Sequence, residues 1–236
     1  MDKQPLRERV WDELEDEGEA RFPFPPHGRI PNFAGADRAA ERLAETDAWR
    51  TAETVKANPD APQLPVRRAA LRAGKTVYMA VPRLRDERCF LELDPDALDD
   101  YDAATTVSGI GEHGRQVGPD AMPDIDLVVS GSVAVSESGA RVGKGEGFSD
   151  LEWAVLRELG LVDDGTPVAT TVHELQVREE DWATDAHDVP LDLVITPERT
   201  VETGGVGKPK GIDWSLLSET DIEGMPVLGR FRDGSD

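Results

Sequence analysis

Residues 141–150, Arg-Val-Gly-Lys-Gly-Glu-Gly-Phe-Ser-Asp, concentrate the groups in this chain that could hold an anion. Glycines at 143, 145 and 147 let the backbone take positive φ and come close to a ligand, and the apolar-periodic run from Leu151 predicts a helix behind them. The first N–H groups of such a helix lack intrahelical partners and lie at its positive end, which suits a phosphate. The spacing fits neither the dinucleotide fingerprint nor the Walker loop, since no Lys-Ser or Lys-Thr follows the last glycine, and a plain tight turn has the same signature. Arg141 and Lys144 bracket the loop in a lysine-poor, acidic chain, which favours an anion there over incidental solvation. Asp150, at the helix entry, suits either a cap or a metal ligand. Lys3 and Arg7 lie four apart on one helical face, and read either as two solvated charges or as a pair with an anion between them.

The elements that position these groups follow from the hydrophobic period. Leu6, Val10, Trp11 and Leu14 predict a helix over residues 3–20, and Ala39, Ala40, Leu43 and Trp49 a second over 36–50. Residues 66–73 form a helix stopped by Gly74, and residues 150–159 form the helix behind the glycine loop. Strands are predicted from Thr54, over 75–82, 90–93, 125–129 and 167–172, and over 191–196. The run Lys75–Pro82 is continuously apolar inside, the mark of a sheet covered on both faces, and a strand-helix-strand order implies right-handed parallel crossovers. The fold class is therefore α/β, a three-layer α/β/α sandwich with a mostly parallel sheet and its ligand loops at the strand C-terminal ends. Residues 22–33 are Pro-rich and read as an extended loop whose Phe22, Phe24 and Phe33 pack on the core. Residues 104–118, with Gly109, Gly111, His113 and Gly114, read as a flexible segment able to lie over a ligand, and Cys89 as buried filler in a strand.

Composition narrows the setting. The 236 residues suit one domain over 1–236, with 204–236 as a C-terminal extension. A net charge of −22 repels nucleic acid and anionic membranes, so a bound anion needs a local basic pocket. Acids are dense everywhere and arginine outnumbers lysine, a halophilic pattern that predicts loosening of the fold at low salt. One cysteine allows no internal disulfide, and the polar start at Met1–Pro5 with no long apolar run predicts no leader and no membrane span. The expectation is a cytoplasmic monomer acting on a small molecule.

The run Arg141–Asp150 resembles the ATP-binding loop of the 5-formyltetrahydrofolate cyclo-ligase family, the methenyltetrahydrofolate synthetases, whose pattern is Gly-x-Gly-x-Gly-Tyr/Phe-Tyr-Asp. His187-Asp-Val-Pro-Leu-Asp192-Leu-Val-Ile-Thr196 is similar to that family's closing segment, and Lys208-Pro-Lys-Gly-Ile-Asp-Trp-Ser-Leu-Leu to a C-terminal segment of many relatives. The chain departs from the pattern at Glu146 and at Ser149, where the family usually has tyrosine. The resemblance implies a NagB/RpiA-like arrangement and ATP-dependent closure of 5-formyltetrahydrofolate to 5,10-methenyltetrahydrofolate with Mg²⁺. By the same resemblance Lys3, Arg7, Arg141, Gly143, Lys144, Gly145, Glu146, Gly147 and Phe148 would bind ATP. Lys56, Asp60 and Phe148 would bind the folate, with Asp60-Ala-Pro-Gln63 in place of the family's Glu-x-x-Thr, and Asp150 with Asp192 would carry the metal. Segments such as Ile30-Pro-Asn-Phe and Thr171-Val-His-Glu-Leu-Gln-Val look closer to divergent, domain-containing relatives, which leaves a catalytically inactive nucleotide- or folate-binding module as the alternative. A sugar-phosphate isomerase or acyl-CoA transferase on a similar sheet has no motif here.

Overall fold

The computed structural model describes residues 3–180, 182–205 and 207–232, so Met1 and Asp2 of the polar start lie outside it. Helix α1 (Lys3–Asp16) buries Leu6, Val10, Trp11 and Leu14, the face its period predicts. It stops short of residue 20 because Gly18 turns the chain at φ 69°. A hairpin of β1 (Ala20–Arg21) and β2 (Asn32–Phe33) then closes the Pro-rich loop. Phe33 is buried, but Phe22 and Phe24 are 78% and 57% exposed, so one phenylalanine of the three packs as expected. The single helix read over 36–50 is two, α2 (Ala36–Ala44) and α3 (Asp47–Thr51). Thr46 restarts it by accepting the Trp49 N–H on its side chain.

The central sheet has eight strands. Strand β3 (Thr54–Ala57) pairs in parallel with β4 (Thr76–Ala80) across a crossover through α4 (Leu64–Arg72). The antiparallel strands β5 (Phe90–Leu93) and β6 (Arg115–Val117) extend that side, with α5 (Tyr101–Ala104) and α6 (Val107–His113) between them. The segment read as a flexible cover at 104–118 is thus mainly helix α6, capped by Thr106 on the Gly109 N–H, and edge strand β6. Strand β7 (Leu127–Val129) returns to the other side of β3 in parallel. The small hairpin β8 (Ala134–Val135) and β9 (Arg141–Val142) leads to α7 (Phe148–Glu158), after which β10 (Val168–Thr171) and β11 (Leu193–Ile195) continue the parallel sheet. Antiparallel β12 (Thr200–Glu202) closes that edge, giving the order β12-β11-β10-β7-β3-β4-β5-β6.

Side chains alternate across this sheet with the period of two that a strand imposes. Val55, Val77, Met79, Leu127 and Val129 enter one core, beneath α1 to α6. Tyr78, Ala80, Val128, Val168 and Val194 enter the other, beneath α7 and the C-terminal helices α8 (Glu219–Gly224) and α9 (Pro226–Arg232). The result is a mixed α/β fold of three layers.

Two features position the site. Strand β3 leads to β4 and outward on one side, whereas β7 leads to β10 and outward on the other, so the connections diverge between the C-terminal ends of β3 and β7. In sheets of this type a crevice opens at that point. The C-terminal segment is also stapled down. Lys208, 5% exposed, sets its Nζ 2.7 Å from Asp192 Oδ2 and donates to the Thr166 carbonyl at 2.8 Å, while Trp153 Nε1 donates to the Pro209 carbonyl at 3.2 Å.

Candidate functional site

A crevice of about 350 Å³ lies where the strand connections diverge. Its floor is the backbone just beyond three parallel strands: Asn58 to Asp60 after β3, Val81 to Arg83 after β4, and Gly131 after β7. The glycine loop and the first turn of α7 form its other wall. Gly145 at φ 106° and Gly147 at φ 71° hold the loop in backbone regions that side chains disfavour. Gly147 is the N-cap of α7 and has no side chain to satisfy the helix's first N–H groups, which leaves that turn able to receive an anion.

The cations around the loop have different tasks. Arg141 is buried and spans the gap beneath it, donating to the Gly131 carbonyl at 2.9 Å and to Asp150 Oδ1 at 2.6 Å. Arg7 donates through Nε to the Gly143 carbonyl at 2.7 Å and stacks close under Gly145, so α1 reaches the loop. Lys144 stands at the crevice, 2.7 Å from Glu146. Arg83 lines the opposite wall on a left-handed backbone of φ 59°, followed by buried Leu84 at φ 49°. Two adjacent non-glycine residues in that region cost about 1–2 kcal/mol each, a strain of the kind that collects at ligand sites.

Asp60 faces Lys144 across the crevice, and burial pushes its carboxyl pKa up, with the Glu152 charge adding to the rise and Lys144 opposing it. The turn that presents it is fixed by Arg67, fully buried in α4, which donates to the carbonyls of Asn58 at 2.6 Å, Asp60 at 3.0 Å and Thr105 at 3.0 Å. Burial lowers the Arg67 pKa to about 10.

Of the residues singled out from sequence, Arg7, Arg141, Gly143 to Phe148, Asp60 and Asp150 meet at this crevice or brace it. Three do not. Lys3 pairs with Asp188 at 2.6 Å and Asp185 at 3.0 Å. Against partial burial, hydrogen bonds to those two acids raise its pKa. Lys56 is 1% exposed and withdrawn beneath α7, where it is ion-paired with Glu152, itself a crevice residue. Asp192 accepts the Val168 N–H and pairs with Lys208 at the opposite, N-terminal end of β11, so it does not join Asp150 in the crevice. What meets Asp150 is the backbone of Val189, whose N–H donates to Oδ1 at 3.0 Å, while the carboxylate of the preceding Asp188 is held by Lys3. Asp185, His187 and Asp188 bring ligand atoms within 4.8 Å of one another, but the Lys3 ammonium already binds the two carboxylates. Arg83, Arg67 and Glu152 were missed from the sequence, where the one hint was Pro82 ending an apolar strand ahead of a basic residue.

A three-layer sheet whose diverging connections open onto a glycine-lined crevice, with Arg83, Arg141 and Lys144 among its walls, has the form in which small ligands are held at strand ends. The pattern of the 5-formyltetrahydrofolate cyclo-ligase family matches residues 2–197, and the chain belongs to that family. It is 43% identical to the methenyltetrahydrofolate synthase domain-containing protein of Bos taurus and 38% to that of Homo sapiens, over 98% of this chain in each case. The chain spans 62% of the length of each of these curated relatives. Among solved structures, the 5,10-methenyltetrahydrofolate synthetase of Aquifex aeolicus shares the fold, with a TM-score of 0.53 at 18% identity over 87% of this chain and 95% of that one.

Proposed function

We propose that the chain closes 5-formyltetrahydrofolate to 5,10-methenyltetrahydrofolate at the expense of ATP. The observation that carries this reading is the uncapped first turn of α7 facing Lys144 on one side of a crevice whose other side presents Asp60. Phosphates suit the first side. Asp60 and Asn58, polar groups at the end of β3, suit the N–H and carbonyl edge of a pterin.

In this reaction the formyl oxygen attacks the γ-phosphorus and ADP leaves. N10 then attacks the activated formyl carbon, and phosphate departs with the N10 proton. The protein supplies position and charge neutralisation rather than a covalent intermediate. Lys144 neutralises the transferring phosphoryl group, Arg7 and Arg141 hold the loop in place around it, and Phe148 closes the crevice above it.

Among the described residues, the bonds that Asp150 accepts, from Arg141 and Val189, fall on Oδ1, which leaves Oδ2 for a hard cation. Mg²⁺ usually binds through one or two carboxylates plus substrate phosphates, and Asp150 Oδ2 would supply one such carboxylate oxygen. When bound, the ion would offset charge on the β- and γ-phosphate oxygens.

A second reading, a binding module without turnover, is favoured by the Lys144–Glu146 ion pair, which sets a carboxylate among the phosphate donors. One assay separates the two. The chain in concentrated KCl, given ATP, Mg²⁺ and 5-formyltetrahydrofolate, should develop methenyl absorbance, and Lys144→Ala should lower the rate at least tenfold. ATP binding without absorbance change would establish the module.

A further inference from the structure

The glycine loop has two sides. Its outer side and the first turns of α7 wall a second cavity of about 340 Å³, whose opposite wall is the segment 211–225. Glu146, Gly147, Phe148 and Asp150 line both cavities, so the two compartments meet along one strip. Their chemistry differs. Arg83, Arg141 and Lys144 line the first beside the carboxylates of Asp60, Glu146, Asp150 and Glu152, whereas the second, among the described residues, is lined by no arginine or lysine. It has an apolar floor of Leu151, Ala154, Leu217 and Met225 under a rim of Glu146, Asp213, Asp221 and His187.

The rim acids are fixed. Asp213 accepts from the Ser215 N–H at 3.1 Å and its hydroxyl at 2.6 Å, and Asp221 accepts from the Ser218 N–H at 2.9 Å. An anionic rim over an apolar floor rejects phosphates and carboxylates and favours a flat, apolar body that carries N–H donors. The wall 211–225 also lies beyond residues 2–197, the part that matches the family pattern.

We propose that this second cavity receives the nucleobase of the nucleotide whose phosphates lie against the glycine loop, with the amino group of adenine donating to the rim carboxylates. This rests on the nucleotide half of the proposed function. The C-terminal segment is then a part of the binding site, held there by Lys208 and Trp153.

Leu216 lines the cavity and is 56% exposed, and Cys89 is fully buried with its thiol pushed up to about 11 by that burial. In a Leu216→Cys chain the introduced thiol is therefore the one that N-ethylmaleimide reaches. In high salt, adenosine should slow its modification at least fivefold and inorganic tripolyphosphate should not. After modification of the folded protein, ATP affinity should fall at least tenfold while tripolyphosphate affinity holds. Should ATP and tripolyphosphate bind normally while adenosine gives no protection, or should 5-formyltetrahydrofolate protect and adenosine not, the nucleobase assignment is wrong and the proposed function stands. A chain that binds neither ATP nor tripolyphosphate overturns the proposed function and the nucleobase assignment together.

Discussion

Arg141 and Lys144 are three residues apart and both cationic, yet burial assigns them different work. Arg141 shares its charge with Asp150 inside the protein, and removing one member of such a pair leaves the other uncompensated, at a cost of about 3–5 kcal/mol. Arg141→Ala should therefore lower urea stability by an amount of that order and weaken tripolyphosphate binding as the loop loosens. Lys144 is paired with Glu146 near the surface, where such pairs contribute about 0–1 kcal/mol. Lys144→Ala should leave urea stability within about 0.5 kcal/mol of the parent and lower tripolyphosphate affinity roughly tenfold, the effect of about one lost charge-assisted contact. If the two variants lose stability equally, the division between brace and ligand group fails. Asp60 adds a pH dependence. Its folded pKa is raised by burial above the ordinary 3.8, so between 3.8 and the raised value the folded state binds more protons than the unfolded one. Its contribution to stability thus falls as pH rises through that window. Asp60→Asn abolishes the fall, so the variant should melt above the parent at pH 8, with the difference shrinking towards pH 4, while its affinity for 5-formyltetrahydrofolate drops. Equal melting differences at both pH values would show that Asp60 carries no such penalty.

At the scale of elements, the site is made by the joint between a loop and helix α7 and by a segment clamped to that helix from outside. Lys208 has three acceptors, Asp192 and the carbonyls of Thr166 and Asp164, and sits 5.8 Å over the Trp153 ring. Lys208→Met keeps most of the buried stem but strands these acceptors, and hydrogen bonds to charged groups are worth about 1.5–3 kcal/mol each. Limited proteolysis should then cut within 204–218 well before the core, whereas cleavage at the parent rate would mean that Lys208 does not hold the segment. This clamp also marks where sequence reading stops. Strands β4, β7 and β10 were legible as short apolar runs buried on both faces, and helices α1 and α4 by buried residues at helical spacing. The glycine loop was legible because its spacing is local. Edge strand β6 exposes Arg115 and Gln116 on opposite faces and gives no alternation to read, and β12 alternates over three residues, too short a run to mark a strand. Asp192 was assigned beside Asp150 by family resemblance, but its partner Lys208 lies across a turn and a strand, a pairing that no local pattern encodes. The same holds for Lys56 with Glu152 and for Arg67, whose buried charge is matched by backbone carbonyls of three separate residues.

For the whole molecule, 48 acidic residues face 26 basic ones, and the excess of 22 negative charges repels itself over distances longer than any single ion pair. The bases are distributed so that close attraction is local. Arg199 bridges Glu137 and Glu174, Arg178 reaches Glu13 from the far part of the chain, and Arg230 reaches Asp120 at 2.6 Å. Salt acts on these two terms unequally. At about 1 M the Debye length is near 3 Å, so repulsion between distant surface acids is removed, while the buried pairs Lys56–Glu152 and Arg141–Asp150 are shielded from the solvent ions. Exposed pairs weaken as well, but each is worth little, so the relief of repulsion should dominate. The melting temperature should therefore climb steadily between roughly 0.05 and 1 M KCl, and by similar amounts in NaCl, since screening does not distinguish the two cations. A melting temperature that stays level or falls over that range would mean that the exposed pairs carry more of the stability than the excess charge removes, and the acidic surface would then need an explanation other than life in salt.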